Sequence, residues 1–105
     1  MRLEFYSDEK LKRQLLEIFG RHLNIKDYRV FIFGSRATGK NTERSDIDVG
    51  IEGEIEVPRE TMARIKADIE NLPTLYRIDL VDFKRVAQDF REVAMEKTET
   101  IYPPQ

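Results

Sequence analysis

An apolar run, VFIF at residues 30–33, breaks at Gly34-Ser35, and ten residues later Asp46-Ile47-Asp48 opens a second apolar run. Side chains at i and i+2 of a strand project to the same face. Asp46 and Asp48 are therefore expected to stand side by side on a strand that is otherwise apolar. Two neighbouring carboxylates repel each other and lose hydration when partly buried. A hard divalent cation offsets both effects, and magnesium commonly takes one or two carboxylates together with substrate phosphates.

A third acid has a similar setting. Asp79 lies in YRIDLVDF between Ile78 and Leu80. Alternation puts it on the face of Arg77 and Val81, with Asp82 on the opposite face. Asp79 is therefore favoured over Asp82 as the partner of Asp46 and Asp48. Three such carboxylates can hold two metal ions about 3.5–4 Å apart.

The break between the runs has chemistry of its own. Gly34 has no Cβ, so a ligand can approach its backbone closely. If Ser35-Arg36-Ala37-Thr38 opens a short helix, its free N–H groups face an anion. Arg36 and Lys40 would add charge toward a polyphosphate. An ordinary strand-to-helix turn with solvated basic residues has the same composition; the aspartates are what favour the phosphate reading.

The rest of the chain supplies a frame. Residues 8–23 carry Leu11, Leu15, Ile18, Phe19 and His22 at helical spacing, with Ser7 as the cap and Asn24 as the stop. Residues 28–34, 45–53 and 76–83 read as strands. Residues 56–72 form a helix with Pro58 in the first turn and Met62, Ile65, Ile69 and Leu72 inward. Residues 84–97 form a last helix with Val86, Phe90, Val93 and Ala94 inward, and 98–105 are a tail whose prolines cannot continue it. Alternation of this kind predicts an α/β (α+β) fold: one small mixed sheet of about three main strands, flanked by helices.

With 105 residues, a single domain over 1–105 is expected, with its core at about 8–97. The formal net charge of -2 supplies no overall basic field for nucleic acid. The chain has no cysteine and one histidine, His22. Thiol catalysis, disulfides and multi-histidine metal sites are excluded. No apolar run approaches the roughly 18 residues of a membrane span. The charged start, MRLEFYSDEK, is unlike a signal peptide, so the cytoplasm is the expected compartment. His22 is expected to be a satisfied boundary residue. Leu3, Phe5 and Tyr6 are a candidate partner surface, unless they pack on the chain's own core.

Taken together, Gly34-Ser35, the ten-residue gap and Asp46-x-Asp48 resemble the signature of the DNA polymerase β-like nucleotidyltransferase superfamily. The string GSRATGKNTERSDIDVGI is most similar to its minimal nucleotidyltransferase (MNT) branch. The resemblance implies the polymerase β-like fold over roughly residues 8–97. It implies that Gly34 and Ser35 hold nucleotide phosphates, that Asp46 and Asp48 bind magnesium, and that Asp79 is the third acid and assists the attacking hydroxyl. It implies ATP as substrate. It also implies a HEPN-domain toxin as partner, modified by AMP on a tyrosine and silenced, with this chain as antitoxin. No acceptor-binding domain is expected in so short a chain, so another copy or another protein must present the acceptor. Other readings are a binding module that neutralises a HEPN partner by contact alone, and a nucleotidyltransferase acting on a small molecule or RNA.

Overall fold

The structure is a computed structural model that describes residues 1–104. Helix α1 spans Asp8–His22. The Ser7 hydroxyl accepts from the Lys10 N–H at 3.2 Å, and Asp8 and Glu9 sit at the positive end of the dipole. Leu11, Leu15, Ile18 and Phe19 are buried. A short 3-10 turn at Ile25–Asp27 leads into strand β1, Arg29–Phe33. A four-residue helix α2, Ser35–Thr38, follows, and then strand β2, Ile47–Glu52. Helix α3, Arg59–Glu70, starts after Pro58 and buries Met62, Ile65 and Ile69. Strand β3 is Ile78–Asp82, helix α4 is Gln88–Ala94 and strand β4 is Glu99–Tyr102.

The sheet order is β3-β2-β1-β4. β1 pairs antiparallel with β2 and with β4, while β2 and β3 run parallel across the α3 crossover. On one face Val30, Ile32, Ile47, Val49, Ile51 and Leu80 pack with the apolar stripes of α1 and α3 into the main core. The other face carries a smaller aromatic cluster, Phe31, Phe33 and Phe83, against which Val86, Ala94 and Met95 of the α4 region pack. Gly50 lies beneath it: any Cβ there would strike the Phe31 and Phe83 rings.

Two expectations are corrected. The expected tail contains β4, a fourth strand, while Gln105 at its end lies outside the described residues. Thr100, Ile101 and Tyr102 are good strand formers, and Ile101 is buried against the core. Pro103 and Pro104 come only after the ladder has ended. The expected helix over 84–97 shrinks to Gln88–Ala94. Asp82 diverts its start: its side chain accepts from the Lys84 N–H at 3.0 Å and its carbonyl from the Arg85 N–H at 3.0 Å. Val93 consequently points outward at 68% exposure, while Phe90, part-exposed at 46%, still packs its ring on the aromatic cluster, 6.2 Å from the Phe33 centroid and 6.0 Å from that of Phe83. Arg91 anchors α4 as well: its guanidinium donates twice to Glu52, at 2.8 and 2.9 Å.

Candidate active site

The sheet register assembles the site. Asp48 is the cross-strand partner of Phe33 in β1 and of Asp79 in β3. Gly34 and Ser35 come directly after Phe33, so the turn lies beside Asp48. Asp46 stands one residue before β2 starts, in phase with Asp48. All three acids stay half-exposed, on the face opposite the main core.

Gly34 is required by this arrangement. Its φ of 72° and ψ of -153° suit glycine alone. A Cβ there would also fall deep inside van der Waals contact with Asp48 Oδ2. Backbone and carboxylate thus approach as closely as a missing side chain permits. The turn continues into α2, where the Ala37 and Thr38 N–H groups donate back to the Gly34 carbonyl at 3.0 and 3.1 Å. The first N–H groups of a helix have no such partner within it, which leaves them for an anion.

Burial, then Asp79, then Asp46 push the Asp48 carboxyl above its ordinary value of 3.8. No cation pairs with Asp48 among the described residues. Arg77 lies between the outer two acids, its Nε 3.8 Å from Asp46 Oδ2 and 3.4 Å from Asp79 Oδ1. At 75% exposure its side chain makes only weak, solvent-screened pairs. Among the described residues no three acidic or imidazole groups converge into a closed metal cage. The expected three-carboxylate cluster is therefore open, with a guanidinium between two of its members. The donor set still fits magnesium: a part-buried, unpaired carboxylate with like charges on both sides favours a hard cation, and one or two carboxylates suffice when phosphates complete the shell.

The basic residues divide. Lys40 is exposed beyond Gly39. Arg36, expected to face a polyphosphate, is only 4% exposed. Its guanidinium donates to the Ser45 carbonyl at 2.8 Å and the Arg2 carbonyl at 3.4 Å, and stacks 5.2 Å from the Tyr76 ring centroid. It clamps α2 to the loop that delivers Asp46. The carbonyls it reaches lie 9 and 34 positions away, a pairing that local sequence cannot announce. Asp82 is also taken up structurally: Oδ2 accepts from the Val57 N–H at 2.8 Å while Oδ1 holds Lys84. It lies on the core side, away from Asp79, as alternation requires. His22 is bonded to Asp68 at 2.7 Å, between α1 and α3.

Sequence reasoning put Arg77 on the face of Asp79 but gave neither Arg77 nor Tyr76 a role at the site. The Tyr76 hydroxyl accepts from the Glu4 and Phe5 N–H groups, both at 3.2 Å, which seats the N-terminal segment beside the site. Of the candidate surface residues, Leu3 is buried, Tyr6 donates to Gln14 at 2.6 Å, and Phe5 is exposed.

Residues 13–105 match the family model described as polymerase beta, nucleotidyltransferase. The chain belongs to the polymerase β nucleotidyltransferase family. A relative from Haemophilus influenzae, named "Probable protein adenylyltransferase MntA", is 33% identical over 87 residues, 76% of each chain. A minimal nucleotidyltransferase of known structure superposes with a TM-score of 0.65 at 28% identity, covering 86% of this chain and 88% of its own. A tri-AMPylated Shewanella oneidensis HEPN toxin in complex with its MNT antitoxin is similar in fold, with a TM-score of 0.68 at 12% identity over 94% of this chain and 75% of the other. The four-stranded mixed sheet with flanking helices is thus the fold of this family.

Proposed function

We propose that the chain transfers AMP from ATP to a tyrosine hydroxyl of a HEPN-domain toxin and so acts as its antitoxin. The observation that carries this is the register pairing of Asp48 with Asp79 beside the Gly34-Ser35 turn. The relative named as a protein adenylyltransferase and the fold shared with an AMPylated toxin's partner complex support the choice of reaction and acceptor. Drawing on ATP, the reaction belongs in the cytoplasm.

The acceptor oxygen attacks the α-phosphorus in line, the bond to the β-phosphate bridge breaks, and pyrophosphate leaves. Gly34 and Ser35 take the departing phosphates on backbone N–H groups, with Lys40 free to reach toward them. Asp79 orients the acceptor hydroxyl and receives its proton on the way to solvent. Asp46 and Asp48, with Asp79, would hold magnesium. The bound ions supply charge neutralisation at the phosphates and a lowered pKa for the acceptor hydroxyl. Arg36 fixes Asp46 against α2 through Ser45. Most of the catalysis is then positioning and electrostatics.

Intact-mass spectrometry of the toxin after incubation with the chain, ATP and magnesium tests this. A mass gain of whole AMP groups, mapped to tyrosine and absent with Asp79→Asn, is expected. An unmodified toxin that is nevertheless bound and silenced would establish neutralisation by contact alone.

A further inference from the structure

A groove of about 450 Å³ opens from the edge of the site, between the N-terminal segment and the loop before β3. Asp46 and Arg77 line its end nearest the acids, and the exposed Phe5 and Leu75 line it too. Those two side chains are 73% and 106% exposed. Apolar residues scattered singly over a surface are ordinary. Two that share one groove with a site carboxylate are not. Phe5 is held there by the bond from its N–H to Tyr76. Pro73 and Tyr6 extend the apolar wall, and Glu43 and Arg44 add one charge of each sign.

Sheet order says which reactant this groove serves. Gly34 ends β1, Asp48 is on β2 and Asp79 on β3, so the phosphate-binding turn and the groove lie on opposite sides of Asp48. A second opening of about 420 Å³, lined by Gly34, Thr38, Asp48, Phe90 and Lys97, is on the turn's side. In-line displacement brings the nucleophile in opposite the leaving group. The nucleotide, tied to the turn by its phosphates, occupies the second opening. The groove is left for the acceptor.

We propose that the groove docks the tyrosine-bearing segment of the acceptor protein, with Phe5 and Leu75 gripping apolar residues next to that tyrosine. This rests on the reading of the chain as a protein adenylyltransferase. The apolar rim fits a segment with apolar residues beside its tyrosine, and the end at Asp46 delivers its hydroxyl to Asp46 and Asp79.

The test titrates the HEPN-domain toxin from the same source against the Phe5→Ser/Leu75→Ser variant at saturating ATP and magnesium. Ile55→Ser, equally exposed at 74% but outside the groove, is the control. Loss of two central apolar contacts is expected to raise the KM for toxin about tenfold or more, with kcat and the KM for ATP within about twofold of wild type. An unchanged toxin KM overturns the proposal. So does a rise in the KM for ATP in place of that for toxin, because it assigns the groove to the nucleotide. Should wild type transfer nothing, equilibrium binding of toxin decides separately from the transfer reading: binding lost in the double variant and kept in Ile55→Ser supports the groove, and binding kept in both overturns it.

Discussion

At the scale of single residues, Gly34 and Asp48 make one unit. The glycine's conformation and the carboxylate packed against it each forbid a side chain. Gly34→Ala is therefore expected to cost about 1–3 kcal/mol in backbone strain. It should also displace Asp48 and reduce kcat by more than tenfold, as denaturant unfolding and steady-state kinetics would show. Asp48 carries a cost that function requires. Because its folded pKa is raised above 3.8, its ionised form opposes folding. Asp48→Asn should abolish transfer yet raise Tm at neutral pH. Sign fixes the pH window: the gain is present at neutral pH, declines as pH falls through the raised folded pKa, and vanishes below 3.8, where both states of wild type are protonated. A Tm difference independent of pH would contradict this. The aspartates were legible in the sequence because carboxylates at i and i+2 of an apolar strand share one face whatever the rest of the fold does. Arg36 was not, because burial of its guanidinium depends on carbonyls contributed by Ser45 and Arg2.

At the scale of elements, two acids of the same strand do opposite work. Asp79 faces the site, whereas Asp82 ends β3 by fixing Val57 and Lys84. Asp82→Ala leaves those N–H groups unpaired and is expected to destabilise the fold by about 2–4 kcal/mol. Asp79→Asn should leave the unfolding midpoint nearly unchanged and abolish transfer; the reverse pattern in the two variants would exchange their roles. Helix α4 is held by its contacts with the aromatic cluster and by one ion pair. The double hydrogen bond from Arg91, ahead of burial, holds the Glu52 carboxyl below its ordinary 4.5. Its stabilising effect is complete above pH 4.5 and is lost as pH falls through the lower folded pKa. Melting curves of wild type and Arg91→Gln should differ by several degrees at neutral pH and converge in acid below 4.5. Helices α1 and α3 were legible from their apolar stripes. The length of α4 and the existence of β4 were not: Asp82 redirects the chain before α4, and β4 is a four-residue strand whose partner, β1, lies far back in the sequence, Phe31 pairing with Thr100.

At the scale of the whole molecule, one sheet separates two tasks. Its inner face, closed by α1 and α3, supplies stability, and the opposite face carries the acids and the opening beside the Gly34-Ser35 turn, while the groove lies ahead of β2 and β3, where Tyr6 and Tyr76 also pack on the main core. The order of the elements from α1 to β3, the mixed sheet and the family resemblance were readable along the chain because they follow from periodicity and motif spacing. The openings were not, since each joins segments distant in sequence, as the groove joins Phe5 to Leu75. The account's central claim is that the chain transfers a nucleotidyl group, and the most direct measurement is incubation with magnesium and the HEPN-domain toxin using ATP labelled at the α-phosphate in parallel with ATP labelled at the γ-phosphate. The account predicts that α-label appears on the toxin, that γ-label does not, and that Asp46→Asn/Asp48→Asn removes the signal. Label from the γ-phosphate, or α-label that persists in the double variant, would contradict it.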